Sequence, residues 1–562
     1  MDLAGTWRAV EADDDLRRRY PDPDFDDSAW DELVVPGHWR SATAFAVSDG
    51  PLLHRTRFEA AAPVEGRRSW LTFDGLFYQG DVWLDGSYVG DTEGYFFPHT
   101  FEVSEALRER SEHVLALELS CGPGLLGSDQ NPGGIWRPVR LTETGPVRIA
   151  GLRTLCAEAT AERAVVRFRA VLDAASTCSV RLRTTIGGTD HEVEQQLAEG
   201  ENRVLWQVVV DHPQLWWPHA LGGQPLHDVT VEVEPADGDG TVSDRRRLRV
   251  GLRQVRVRHW IWEVNGERLF LKGTRQGPTG MARAEARPEE CERDVDLAVD
   301  AGLDLVRVHG HVSRPELYDA ADRRGLLLWQ DLPLRGGRRH RKQAAHQARA
   351  AVDLLGHHPS IALWCGDVKR AFEKADGTRP AVSRPPVHLS AGNEPTVLAL
   401  WPRLGRFVVD DGATAGFSRH DLEHLRRLKY RPTGGFCLAP PDKREPEQAY
   451  EALAAACAPV IVTADRPDAE YRPGDALALD VHVVSDRRTP VHGVRVAAVL
   501  RWEGGSASWS WEGDVPTDSC ERVGMVRAVV PDAPGPLVLD LDLDGPDVKA
   551  ANRYESLIVP TP

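Results

Sequence analysis

A change of hydrophobic period near Leu252 divides this chain into two kinds of structure. Before it, apolar residues recur at every second position in short runs such as RRSWLTFDGL, GDVWLDGSYVGD and HVLALELS. Alternation of that kind over four to eight residues specifies half-buried antiparallel strands. Asp85-Gly86 lies between two of the runs and reads as a tight hairpin turn, because glycine supplies the positive φ such a turn needs. ERAVVRFRAVL, CSVRLRTTI, NRVLWQVVV and LHDVTVEVE follow over about 100 residues, a spacing that predicts an immunoglobulin-like sandwich across residues 151–251.

Beyond Leu252 strands alternate with helices. VNGERLFLKG reads as a hairpin and strand, PEECERDVDLAVDAG as a helix, LDLVRVHG as a strand and SRPELYDAADRRG as a helix. LLLWQDLPL, AAHQARAAVDLLGHHPS and IALWCG then continue the pattern as strand, helix and strand. Such alternation argues for parallel β/α units. After Gly366 it falters: RPAVSRPPVHLSAGNEP is too rich in proline for a central strand. Six strands are expected in residues 252–458, around Phe270, Val306, Leu328, Leu363, Val408 and Phe436. From about Pro459 the period of two returns, in VIVTADRP, ALALDVHVVS, VRVAAVLRWEG and LVLDLDLDG, predicting a terminal sandwich over residues 459–562.

Composition narrows the function classes. With 68 Lys+Arg against 85 Asp+Glu, the formal net charge is −17, which disfavours nucleic acid and anionic membranes as partners. Eight cysteines run from Cys121 to Cys520 with no CxxC pair, so neither a disulfide scaffold nor a zinc site is expected. The start, MDLAGTWRAV, lacks the basic, apolar and small-residue regions of a secretory signal. No apolar run reaches the ~18 residues of a membrane span. The expectation is a cytoplasmic multidomain protein without a cofactor or metal.

The strings themselves carry a resemblance. GDVWLDGSYVGDTEGYFFPHTFEV followed by GGIWRPVRL resembles the sugar-binding jelly roll of glycoside hydrolase family 2, the family of β-galactosidases, β-glucuronidases and β-mannosidases. WEVNGERLFLKG looks like the entry into that family's catalytic barrel. DLVRVHGH, GLLLWQDLP and HHPSIALWCG look like its second, third and fourth strands. The WQD and WCG forms lean towards the β-mannosidase branch. The resemblance spans nearly all of the first 365 residues. It implies a jelly-roll sandwich over residues 1–150, the immunoglobulin-like sandwich, a (β/α)8-type barrel and a C-terminal β-sandwich.

The implied activity is that of a retaining exo-β-glycosidase, with a β-linked oligosaccharide or glycoside as partner and a homo-oligomer as a candidate state. Retaining hydrolysis needs two carboxyls about 5–5.5 Å apart, at the C-terminal ends of barrel strands. The family's acid/base glutamate follows an asparagine just after the WCG strand. Here that place reads Trp364-Cys365-Gly366-Asp367-Val368-Lys369-Arg370, without the Asn-Glu pair. Asp367 is one substitute, although its shorter side chain retracts the carboxyl. Glu394, in Ala391-Gly392-Asn393-Glu394-Pro395, imitates the missing string on a proline-rich stretch. The third alternative is loss of the group. For the nucleophile, RFVVDDGATAG offers Asp410 or Asp411, with a plain turn as the competing reading.

Arg307, His309 and His311 resemble the family residues that contact the sugar or hold the nucleophile; polar groups satisfied at the barrel rim are the alternative. Asp331 is expected to orient Arg307 or a backbone group. Trp364 is a candidate to stack on a pyranose face, against core packing. Residues 252–458 number about 200, where a complete barrel usually takes ~250, so an incomplete barrel is expected. Two readings follow: a retaining exo-β-glycosidase of mannosidase or galactosidase type with impaired activity, or a catalytically inactive carbohydrate-binding or structural remnant.

Overall fold

The computed structural model describes residues 1–562 apart from 122–132, 239, 259–260, 280–285, 334–340, 384–406, 410–418, 428–434, 439–445 and 561–562. The first region is a β structure built mainly on two sheets. A six-stranded antiparallel sheet runs in the order Asp31–Val35, Gly5–Glu11, Leu52–Glu59, Glu112–Ser120, Gln79–Leu84, Ser87–Glu93. A three-stranded sheet of Val139–Thr144, Arg68–Phe73 and His99–Glu102 shares a core with it. The hairpin expected at Asp85-Gly86 forms: Leu84 pairs with Ser87, and φ is 52° at Asp85 and 82° at Gly86. Two successive positive φ values give the turn a twist that matches its strands.

His54 lies fully buried in this region, its Nδ1 3.2 Å from the Leu52 carbonyl oxygen. Burial pushes its pKa down to about 4, only partly opposed by that contact. The unfolded ring takes its proton near pH 6.5 and the folded one does not, so stability falls as pH drops from 6.5 towards 4. A shift of this size corresponds to ~3 kcal/mol. Urea midpoints at pH 7 and pH 4.5 are expected to differ accordingly, and His54→Leu is expected to flatten the slope.

The second region is a sandwich of three strands (Val147–Ala159, Arg163–Ala174, Gly200–Asp211) against four (Thr189–Leu197, Cys178–Ile186, His227–Pro235, Asp244–Val250). Phe168 stacks on Trp206 with centroids 5.2 Å apart, and the Trp206 indole N–H donates to Thr184 Oγ1 at 3.0 Å.

The centre is a seven-stranded, all-parallel sheet. Its order is Ala381–Val382, Ile361–Cys365, Leu327–Asp331, Leu305–Val308, Leu271–Gln276, Gly435–Leu438, Phe407–Val409. Six of these are the strands expected from sequence. The seventh, Ala381–Val382, falls in the proline-rich stretch. It is two residues long and lies at an end of the described sheet, where proline neighbours are tolerated. Among the described residues the two terminal strands do not pair with each other, so the sheet is open there. Helices Pro288–Asp300, Pro315–Arg324 and Arg341–Leu355 cover one face. Pro315–Arg324 stops at Gly325, with φ 72°, where a Cβ would lie 2.5 Å from the His219 backbone nitrogen. Both the left-handed backbone and the close approach demand glycine.

The last region is again a two-sheet β structure, three strands against five, around a valine- and leucine-rich core. Buried charges fasten it to the central sheet. Lys272 Nζ lies 2.9 Å from Asp486 Oδ2 and 3.6 Å from Asp304 Oδ2, and Arg426 Nη2 donates to the same Asp486 oxygen at 2.8 Å. Among the described residues, no helix is long and apolar enough to cross a membrane.

Candidate active site

Strands buried on both faces still alternate, and the two faces here have different neighbours. Leu305, Leu327, Trp329, Leu363 and Cys365 share a cluster on one face of the sheet. Val306, Val308, Leu328 and Trp364 pack with the helices on the other. Arg307 belongs to the first face by parity, and its guanidinium lies over the Trp329 ring, 5.2 Å from the centroid.

Asp331 ends its strand beside Arg307 and receives a forked set of bonds. Arg307 Nε donates to both carboxylate oxygens at 3.1 Å, and Nη2 donates to Oδ2 at 2.9 Å. Oδ2 also lies 3.0 Å from His309 Nδ1 and accepts from the Gly310 N–H at 3.3 Å. Burial alone would raise the Asp331 pKa, but the His309 bond and the Arg307 charge outweigh it and hold the carboxyl below its ordinary value. The expectation that Asp331 orients Arg307 matches this geometry. An ionised Asp331 accepts only, which assigns the His309 proton to Nδ1 and leaves Nε2 as the ring's other functional atom. Arg307 and Asp331 are buried, whereas the His309 side chain keeps 26% exposure. His309 is therefore the member of the trio that a ligand can reach.

The backbone after this strand is held by distant residues. His311 is buried, with Nδ1 3.1 Å from the His309 carbonyl oxygen. Gln330 Nε2 donates to the His311 carbonyl at 2.6 Å while its Oε1 accepts from the Tyr318 hydroxyl. Two groups come from the first region of the chain. The Tyr95 hydroxyl accepts from the Val312 N–H at 2.7 Å. Arg137 Nη2 donates to the Ser313 carbonyl at 2.6 Å and Nη1 to that of Phe96 at 2.9 Å. Burial lowers the Arg137 pKa to about 10. Sequence reasoning placed Tyr95 and Arg137 in the strings GYFFPHTF and GGIWRPVRL without assigning them this bracing role. Tyr95→Phe leaves a buried N–H unsatisfied and is expected to cost ~1–3 kcal/mol in chemical denaturation.

Two substrate-binding expectations need correction. Trp364 faces the helix layer and is fully buried. Its indole stacks on Phe372 at 5.3 Å and donates to Asp376 Oδ2 at 2.8 Å, so no ring face is open to a sugar. In Trp364-Cys365-Gly366 the inward residue is Cys365, whose thiol burial pushes up to about 12. His311 is likewise closed off and acts on the backbone of its own loop. Of the carboxyls expected to carry the chemistry, Asp367 is exposed in the turn that follows Ile361–Cys365. Glu394 and Asp410, with Asp411, lie outside the described residues.

One group of metal-type ligands occurs among the described residues, Asp319, Asp322 and His358. It already forms a closed staple. Asp322 Oδ2 lies 2.7 Å from His358 Nδ1, Oδ1 accepts from the Ser360 N–H at 3.0 Å, and Asp319 pairs with Arg249 at 3.6 Å. His358 thus ties the turn after Arg341–Leu355 to the neighbouring helix Pro315–Arg324.

Comparison with known proteins agrees with this architecture. Residues 39–124 match the family model "Glycosyl hydrolase 2 galactose-binding domain-like", and residues 148–253 match "Glycosyl hydrolases family 2". Beta-mannosidase B of Aspergillus clavatus is 26% identical over 377 residues, 57% of this chain and 44% of that protein. The Aspergillus flavus protein of the same name is 27% identical over 373 residues, with the same coverage. The chain thus spans less than half the length of the curated relatives it matches. In fold it is similar to a β-D-mannosidase from Dictyoglomus thermophilum, with a TM-score of 0.78 at 15% identity over 100% of this chain and 89% of the other. It is also similar to an exo-chitosanase from Amycolatopsis orientalis, with a TM-score of 0.80 at 15% identity over 99% and 84%. In its matched domains the chain is similar to glycoside hydrolase family 2, and among curated proteins to β-mannosidases.

Proposed function

We propose that this chain takes a β-linked glycoside of the mannoside type at the C-terminal ends of its central strands, on the plan of a retaining exo-β-glycosidase with impaired hydrolysis. The observation that carries the reading is the joined Arg307–Asp331–His309 set at the ends of two adjacent parallel strands. That end of a parallel β/α sheet is where ligands bind. A half-exposed imidazole with a fixed tautomer suits a sugar hydroxyl, which both donates and accepts. The alignment with fungal β-mannosidases supports the mannoside class.

The carboxyls support the reading of impairment. Asp331 is committed to Arg307 and His309, so it is not free to attack an anomeric carbon. Asp367 carries a short side chain in an exposed turn, and Lys369, two residues on, pairs with Glu373 at 3.3 Å. A misplacement of ~1 Å in such a reaction costs about a hundredfold in rate. Residual turnover is assigned to Asp410 as nucleophile with Glu394 or Asp367 as acid/base.

The test uses the full chain with nitrophenyl β-mannoside, β-galactoside and β-glucoside, alongside calorimetric titration with β-mannobiose. Expected are mannobiose binding that weakens at least tenfold in His309→Ala, and mannoside hydrolysis about a hundredfold or more below a fungal β-mannosidase B run in parallel. Asp410→Asn is expected to remove what turnover there is. Hydrolysis at the rate of that reference enzyme would overturn the impairment, and absence of binding to any β-glycoside would overturn the site.

A further inference from the structure

The sandwich of the second region has four terminal strands, and three of them are closed to further pairing. Val147–Ala159 is pressed against the helix layer of the central sheet, where Leu155 shares the core and Arg153 Nε donates to Asp353 Oδ1 at 2.5 Å. Thr189–Leu197 turns Asp190, Glu192 and Glu194 to solvent, and Asp244–Val250 turns out Arg245, Arg247 and Arg249. A row of one charge repels an incoming strand, which is how sheets guard their ends. Gly200–Asp211 has neither defence. It is 12 residues long, about twice the usual strand. Among the described residues it pairs on one side only, with Arg163–Ala174.

Val204, Trp206, Val208 and Val210 of this strand are buried in the sandwich core. The opposite face presents Arg203, Leu205, Gln207, Val209 and Asp211. Leu205 is 75% exposed and Val209 42%, and Val209 stands beside Val165 of the adjacent strand. A long apolar edge is a template for another strand, and this one is complementary to itself. Two copies placed antiparallel about a two-fold axis at Gln207 bring Leu205 against the partner's Val209 and Arg203 against the partner's Asp211, each contact occurring twice. Apolar pairs and opposite charges facing one another stabilise a ladder. Arg163, beside Asp211 in its own sheet, is already bonded to Glu158 at 3.1 Å, so Asp211 is open to the incoming arginine. Neighbouring registers fail: an axis at Trp206 sets Asp211 against the partner's Glu201, and one at Val208 sets Leu205 against the partner's Asp211.

We infer that this chain dimerises through Gly200–Asp211, edge to edge with a second copy, so that two three-stranded sheets continue as one of six. The interface uses the same strand on both copies, as a closed two-fold dimer requires. Main-chain hydrogen bonds between the two edges supply affinity, and the facing side chains fix the register.

Sedimentation velocity of the full chain over a range of about 1–100 µM tests the interface, since a contact of this small class associates in the micromolar range. Expected is a monomer–dimer equilibrium that weakens at least tenfold in Leu205→Glu and in Arg203→Asp, the second because two carboxylates would then face each other. Combining Arg203→Asp with Asp211→Arg in one chain restores both ion pairs in the opposite sense. That double variant should return the affinity to within about threefold of the original. These side chains are exposed, so the fold tolerates their substitution, and unchanged thermal unfolding verifies this. Amide exchange in Gly200–Asp211 should slow as the dimer forms. A chain that stays monomeric throughout, a dimer indifferent to Leu205→Glu and Arg203→Asp, a double variant as weak as Arg203→Asp alone, or a dimer that leaves exchange in this strand unchanged would each overturn the inference.

Discussion

Asp331→Ala is expected to lower the stability of the central sheet by about 3–5 kcal/mol, the usual cost of removing one partner from a buried ion pair. The Arg307 guanidinium, 4% exposed, would stay charged in the interior because arginine does not shed its proton near neutrality. The same carboxylate fixes His309 and the Gly310 N–H, so the loop would loosen with the pair. Asp331→Asn keeps one accepting oxygen but sets a donor NH2 group where an oxygen accepted, and should recover only part of that loss. Urea unfolding followed by tryptophan fluorescence measures both, since Trp329 lies beneath Arg307. The pH dependence has a defined sign. Because the folded Asp331 carboxyl is held below its ordinary value of 3.8, its contribution is complete above about pH 4. It fades as pH falls through the folded pKa. In Asp331→Asn that acid-limb contribution should be absent.

Lys272→Met is expected to have an effect of similar size at the opposite end of the same sheet. Lys272 is 4% exposed and bridges Asp304 and Asp486. Burial pulls its pKa down, but the two carboxylates more than offset this and raise it, so the group stays charged. Its loss leaves the fully buried Asp304 without its ammonium partner, the His219 imidazole Nε2 lying 3.7 Å away, while Asp486 keeps Arg426. The predicted cost is again about 3–5 kcal/mol. It should appear as faster amide exchange in Val460–Ala464 and Ala476–Ser485, the strands beside Asp486. The double variant Lys272→Met/Asp304→Leu should recover much of the loss, because removing both partners leaves no uncompensated charge. Failure of the double variant to recover would show that Lys272 acts through packing.

The parts of this molecule legible in the sequence are those governed by local period and by adjacency of neighbouring strands. The hairpin at Asp85-Gly86 follows from two residues. The bond between Arg307 and Asp331 follows from consecutive parallel strands ending side by side. Trp364 carries two readings in sequence, sugar stacking and core packing, because Ile361–Cys365 is buried on both faces. A wholly apolar strand carries no alternation to say which residue points inward. Ala381–Val382 escaped because proline rules are averages over central strands, and this strand lies at an end of the described sheet. Tyr95 and Arg137 escaped for a different reason. Their partners, Val312 and Ser313, lie some 200 residues away in sequence, and no local pattern encodes a contact that only the packing of two regions creates.

A crystal of the full chain soaked with β-mannobiose tests the glycoside-binding account most directly. The account predicts a sugar at the ends of Leu305–Val308 and Leu327–Asp331, with a hydroxyl within hydrogen-bond distance of His309 Nε2. It also predicts that the Arg307–Asp331 fork stays intact. A mannoside bound away from these strand ends, or His309 untouched by an occupied site, would contradict it.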